Sequence, residues 1–133
     1  MESINVLFID DDKVIQQIAG AALSSRGMGV FAVFNSTQAD AVLSKEKVDV
    51  IVCDVLMDFE DGLSYCKRLR DEGNRIPVIL LSALADPVTV MIGMASGAAA
   101  YMIKPFDTEE LYQRILQTAG SKAPSPSTFN SPS

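Results

Sequence analysis

Apolar runs that each end in a polar residue recur along this chain, and helical patterns separate them. Val6-Leu7-Phe8-Ile9 runs into Asp10-Asp11-Asp12, and the stretch 48–53, apolar but for Asp49, runs into Asp54. Val78-Ile79-Leu80-Leu81 ends in Ser82, and 99–103 ends in Lys104-Pro105. Nearly continuous apolar runs of this length are strands covered on both faces. The pattern predicts strands over 5–10, 29–34, 48–53, from 78 onward, and over 99–103. Helix one is predicted over 13–25, with Ile15, Ile18, Ala19 and Ala22 on one face and Gly27 as its stop. Asn35-Ser36-Thr37 offers the N-cap of a short second helix with Ala39, Val42 and Leu43 inward. The loop 57–62 leads to a third helix carrying Leu63, Cys66 and Leu69, closed by Gly73.

Asp86-Pro87 reads as an N-cap followed by proline at the first helical position, opening a fourth helix that runs to about Ser96 and stops at Gly97. Asp107 with Glu110 three residues on resembles a capping box for a fifth helix, which carries Leu111 and Ile115 and ends near Gly120. Strands alternating with helices mean βαβ units, hence an α/β fold with a parallel sheet and right-handed crossovers. Residues 1–119 are expected to form one domain. Residues 120–133 are Ser/Pro-rich with almost no apolar content, and are expected to be a disordered tail or linker.

Composition narrows the class without naming it. At 133 residues the chain is long enough for a real core. No apolar run approaches the roughly 18 residues of a spanning helix, and the first residues lack a basic n-region, so no membrane association and a cytoplasmic location are expected. A net charge of −6 argues against direct nucleic-acid binding by this chain. Cys53 and Cys66 each sit at an apolar position and read as buried free thiols. Without histidine or a CxxC spacing, zinc is not indicated.

The chemistry lies at the strand ends. In an open parallel sheet, ligands bind outside the carboxyl ends of the strands. Taken singly, each polar residue there has an ordinary reading. Asp54 alone is a helix cap or turn residue, one of Asp10, Asp11 and Asp12 caps helix one, and Lys104 is a surface lysine. Ser82 is a turn residue and Tyr101 a half-buried strand aromatic. Convergence changes this. Carboxylates gathered in one crevice raise each other's cost of ionising, and a hard divalent cation such as Mg²⁺ removes that cost. Lys104 is a compact ammonium aimed at a carboxylate or a phosphoryl oxygen, and Pro105 after it limits the backbone and is compatible with a cis bond. A carboxylate can attack phosphorus to give an acyl phosphate, leaving the protein to position the groups and neutralise charge.

These residues together resemble the receiver domain of bacterial two-component response regulators. The matching pieces are Val6 to Asp12, Asp54-Val55-Leu56-Met57 with Asp61-Gly62, Leu81-Ser82-Ala83, and Gly97-Ala98 through Tyr101 to Lys104-Pro105-Phe106, over about 4–118. The resemblance implies a flavodoxin-like doubly wound (βα)5 fold with a five-stranded parallel sheet in the order 2-1-3-4-5. It implies that Asp54 accepts a phosphoryl group from the phosphohistidine of a sensor histidine kinase or a histidine phosphotransfer protein. Asp10 and Asp11 would hold Mg²⁺ with Asp54 and the backbone carbonyl of Leu56. Lys104 would pair with the phosphoryl group, Ser82 would hydrogen-bond it, and Tyr101 would rotate inward. The surface of helix four, strand five and helix five would then change shape for a downstream protein or output domain. Homodimerisation through that face is common in such domains. The chain would not be an enzyme beyond its own phosphorylation and dephosphorylation.

Two departures stand out. Asp58 occupies the place where the family often has proline, which predicts a looser loop with added negative charge. Leu56 and Leu84, at positions that tune the lifetime of the phosphorylated state, are both apolar, which predicts hindered water access and slow loss. Three other classes fit less well. A receiver-like interaction module that signals without phosphorylation should have lost part of the site. A haloacid-dehalogenase-type phosphatase with Asp10 as nucleophile, suggested by Asp10-Asp11-Asp12-Lys13-Val14, lacks the later acidic pair and leaves Asp54 without a role. A flavin-binding domain would need a phosphate-cradling glycine loop after strand one.

Overall fold

A computed structural model describes residues 3–121, so nearly all of the predicted tail lies outside the described residues. Five strands alternate with five helices. They are β1 (Asn5–Ile9), α1 (Lys13–Ser24), β2 (Gly29–Val33), α2 (Ser36–Lys45), β3 (Val50–Asp54), α3 (Gly62–Asp71), β4 (Val78–Ser82), α4 (Pro87–Ala95), β5 (Ala100–Ile103) and α5 (Thr108–Ser121). All pairings are parallel, and the sheet order is β2-β1-β3-β4-β5. This is the expected doubly wound arrangement.

Strand periodicity builds three layers. Leu7, Ile9, Ile51, Cys53 and Leu80 face one side, where Ala39 of α2 and Tyr65, Cys66 and Leu69 of α3 cover them. Their neighbours Val6, Phe8, Val50, Val52, Ile79 and Leu81 face the other side, under Ala19 and Leu23 of α1 and Leu111 and Ile115 of α5. Adjacent strand residues alternate between faces, so both layers are apolar and the central strands read as unbroken hydrophobic runs.

Helix ends follow local chemistry. Asp12 caps α1 by accepting from Val14 N and Ile15 N, Asn35 caps α2 through Gln38 N, and Asp86 caps α4 through Thr89 N. At the far ends, Gly27 and Gly97 adopt φ of 86° and 104°, left-handed conformations open to glycine without steric penalty. Asp107 accepts from Glu109 N, two residues on, rather than showing the bond of a capping box to Glu110 N.

Some expectations shift. The strand predicted over 48–53 is displaced to Val50–Asp54, so Asp54 is the last rung of β3, paired with Leu81. The reason lies in Asp49, whose N–H donates to Asn5 O and whose carboxylate accepts from Asn5 N, both at 2.8 Å. That exchange with the start of β1 occupies the chain before the ladder begins. Ile18, expected inward, is 56% exposed, whereas Gln16 is buried. The Gln16 amide is satisfied there by Asp10 O at 3.0 Å and by Val33 O. The final helix also continues to Ser121, two residues past the predicted domain edge at 119.

Candidate functional site

The strand order makes the site. Connections from β1 lead outward to β2, whereas the chain next returns to β3 on the other side of β1, so a crevice opens beyond the ends of β1 and β3. Asp10 follows β1 directly, and Ile9 pairs with Cys53, so the register places Asp10 level with Asp54. Ser82 ends β4, and Lys104 follows β5 one step beyond the Ser82–Ile103 pair. The sequence-predicted residues Asp10, Asp54, Ser82 and Lys104 therefore all stand on one edge of the sheet.

Geometry ties them together. Lys104 Nζ lies 2.9 Å from Asp10 Oδ2 and 3.4 Å from Asp54 Oδ2. Asp10 Oδ1 accepts from Asp12 N at 2.9 Å, and Asp54 Oδ1 accepts from Leu56 N at 3.3 Å. Asp10 and Asp54 are buried and Asp11 is exposed, and one oxygen from each of the three lies within 4.8 Å of the others. Among the described residues this is the one cluster with metal-ligating geometry. Three carboxylate oxygens this close together are the kind of hard donor set that Mg²⁺ takes, an ion that usually keeps several waters beside its carboxylates. The residues present therefore fit that ion.

Burial raises the Asp54 carboxyl above its ordinary range and repulsion from Asp10 adds to this, while Lys104 and the Leu56 N–H pull it back. Burial opposes the charge on Lys104, but the bond to Asp10 and the neighbouring Asp54 outweigh it, and its affinity for the proton rises. Cys53 sits beside Asp54, yet burial first and the Asp54 charge second push its thiol upward. It stays protonated and inert, as Cys66 does for reasons of burial. Both thiols are free.

The residues expected to report on the site meet at Leu84. Ser82 Oγ accepts from Leu84 N at 3.0 Å, and the Tyr101 hydroxyl donates to Leu84 O at 2.8 Å. The Tyr101 ring is half-buried and lies over Gly93 of α4, where an added methyl would come within 2.9 Å of a ring carbon. The Lys104–Pro105 peptide bond is cis.

Sequence reasoning passed over two features. Gln16 joins the ends of β1 and β2 from beneath, and its position three residues before Ala19 on the inward arc was the available signal. The second is a polar cluster around Arg68, whose partners Asp40 and Glu60 lie 28 and 8 positions away, and no spacing rule relates them.

An acidic crevice at the switch point of a doubly wound sheet, bridged by a lysine from the edge strand, defines a class of small α/β domain whose site lies at the carboxyl ends of its strands. Comparison with known proteins makes the assignment specific. A family model described as "Response regulator receiver domain" matches residues 6–116. The chain is 39% identical over 114 residues to "Transcriptional regulatory protein CseB" of Streptomyces avermitilis, covering 86% of this chain and 48% of that protein. Among solved structures, the Francisella response regulator 1452 receiver domain superposes with a TM-score of 0.86 at 34% identity, covering 90% of this chain and 98% of that one. The receiver domain of a sensor histidine kinase from Pseudomonas aeruginosa, described with a magnesium ion coordinated in the active site cleft, gives 0.79 at 28% identity, covering 90% and 99%. The chain belongs to the response regulator receiver domain family of two-component systems. It spans about half the length of the curated relatives it matches. Among the described residues, no helix is long and apolar enough to cross a membrane.

Proposed function

We propose that this receiver domain takes a phosphoryl group from a phosphohistidine onto Asp54 and passes the change to a partner through the face of α4, β5 and α5. The observation that carries the reading is Lys104 Nζ set between Asp10 and Asp54, with Asp11 completing the oxygen set. In the transfer, an Asp54 oxygen forms the new bond to phosphorus while the phosphorus–nitrogen bond breaks, and the departing imidazole takes up a proton. Lys104 has two tasks. It holds the proton affinity of Asp54 down so that the carboxylate is available, and it offers its ammonium to the incoming phosphoryl oxygens. The N–H of Leu56 orients Oδ1. Asp10, Asp11, Asp54 and the Leu56 carbonyl would hold Mg²⁺, whose charge offsets that of the phosphoryl oxygens. The magnesium described for the Pseudomonas receiver domain supports this choice of ion.

The chain catalyses only its own phosphorylation and dephosphorylation in this reading. Ser82 and Tyr101 are the readout, biasing a two-state surface. That surface is strongly apolar on α4, where Val88, Met91, Ile92 and Met94 are all exposed. A sensor kinase or phosphotransfer protein supplies the group, and a downstream protein or output domain receives the signal. The test is incubation with a small phosphodonor and Mg²⁺, read by intact mass. Wild type should gain one phosphoryl mass and Asp54→Asn should not. Undiminished labelling of Asp54→Asn overturns the assignment.

A further inference from the structure

The loop between β3 and α3 carries an unusual piece of backbone. Glu60 N–H donates to Asp58 O at 2.8 Å, and Phe59 between them has φ of 70°. A bond from residue i+2 back to i across a centre with φ near +75° is the rare, strained form of the γ-turn. Phe59 is not glycine, and its side chain is fully exposed, so its own packing does not hold it there. Strained backbone of this sort persists where its surroundings over-determine it.

The surroundings act on Glu60. Arg68 Nε and Nη2 donate to its two carboxylate oxygens, each at 2.9 Å, in a forked pair. The same guanidinium reaches Asp40 Oδ2 of α2 at 3.0 Å and lies 4.9 Å from the centre of the buried Tyr65 ring. The Tyr65 hydroxyl donates to Asp40 Oδ1 at 2.8 Å, and Ser36 gives Glu60 another hydrogen bond. Two helices thus grip one carboxylate of the loop. The loop is also closed at its base, because Gly62 N–H returns to Val55 O at 2.8 Å. Leu56 stands inside this short ring, so a change in the turn at 58–60 is transmitted to it.

We propose that Arg68 is a positioning residue for the metal site: by clamping Glu60 it holds the strained turn and so fixes the main chain at Leu56. The clamp itself touches neither the phosphoryl group nor the cation. The inference rests on the metal-site reading above, and its test keeps the two apart. Mg²⁺ is titrated into the unphosphorylated chain, followed by calorimetry and by amide shifts, for wild type, Asp11→Asn, Arg68→Met, Arg68→Lys and the double variant Arg68→Met with Phe59→Gly. Partners that orient metal ligands contribute roughly 10–100-fold to affinity, so Arg68→Met should raise the half-saturating Mg²⁺ concentration by roughly tenfold. Arg68→Lys should fall between, because an ammonium cannot fork across the carboxylate. Phe59→Gly should recover part of the loss, since glycine takes this φ without steric cost. A purely structural role would lower the melting temperature of Arg68→Met and leave its Mg²⁺ titration unchanged, and that result overturns the proposal. If Arg68→Met does not fold, Glu60→Gln, which keeps shape and removes charge, carries the same expectation. If Asp11→Asn also titrates like wild type, the metal-site reading fails; if Asp11→Asn weakens binding and the Arg68 variants do not, only the positioning role fails.

Discussion

Replacing Lys104 with methionine should cost about 3 kcal/mol of folding stability at neutral pH without Mg²⁺, and the cost should disappear in acid. The ammonium is 2.9 Å from Asp10 and 3.4 Å from Asp54. At an effective dielectric of about 20 those separations correspond to attractions of about 6 and 5 kcal/mol, before desolvation is charged against them. Asp10 is fully buried, and the Lys104 side chain is only 16% exposed, so desolvation takes back a large part. Removing one partner of a buried pair nevertheless leaves the other charge uncompensated, at about 3–5 kcal/mol. The lower end applies because the Asp54 carboxylate can escape by binding a proton. In the variant, Asp10 and Asp54 lose their cation, and the folded-state proton affinity of Asp54 rises further above that of the unfolded chain. Groups raised in this way stabilise the fold fully below the unfolded value, about 4 for a carboxylate, and lose that contribution as pH rises through the folded value. Urea unfolding followed by far-ultraviolet circular dichroism, from pH 4 to 8, reads this directly. The gap between wild type and Lys104→Met should be small at pH 4 and widest at pH 7 to 8. Mg²⁺ at ten times its dissociation constant should stabilise the variant by about 1.4 kcal/mol. A gap below about 1 kcal/mol at pH 7, or one that is the same at every pH, would refute the reasoning.

Asp54→Asn should raise the urea midpoint at pH 7, because burial and Asp10 make the wild-type carboxyl a net burden once ionised, and the two proteins should converge toward pH 4. Gly62→Ala should destabilise the domain by about 2–3 kcal/mol in the same assay, since the new methyl would sit 2.3 Å from the Asp54 carbonyl oxygen and backbone cannot yield as a side chain does. Leu56→Asn and Leu84→Asn should each speed loss of the phosphoryl group severalfold, measured by intact mass over time after donor removal. Both side chains are exposed beside the site, and amides there would admit and orient water that leucines repel. An unchanged loss rate in both would exclude an apolar barrier at these positions.

Much of this molecule was legible in its sequence because its signals are local. Runs covered on both faces, caps such as Asp86-Pro87 and stops such as Gly97 depend on residues a few positions apart, and the elements fall within about two residues of where those signals point. The strand at 48–53 was misplaced because the exchange between Asp49 and Asn5 spans 44 positions and no pattern within the strand reports it. Ile18 and Gln16 exchanged places for a related reason. Hydrophobicity alone favours isoleucine inward, but the buried position offers two carbonyls, Asp10 O and Val33 O, that only a donor satisfies. That Asp10, Asp54, Ser82 and Lys104 share one edge of the sheet was readable because each ends or directly follows a strand, and parallel strands bring those ends together. Asp58 in place of proline predicted a looser loop. The loop is nevertheless tied at Val55, Glu60 and Gly62, and the tie at Glu60 comes from Arg68, whose role is set by tertiary neighbours.

Leu84 separates two properties that one residue would ordinarily tie together. Its N–H is held by Ser82 and its carbonyl by Tyr101, so the link between Ser82 at the end of β4 and Tyr101 on β5 runs through main-chain atoms. Every amino acid but proline supplies both. Its side chain, meanwhile, stands free at the rim of the site. If Asp54 carries a phosphoryl group as proposed, substitution at this position would lengthen or shorten the signal's memory while leaving the wiring between Ser82 and Tyr101 intact, giving natural variation and engineering a clock that can be reset without rebuilding the switch.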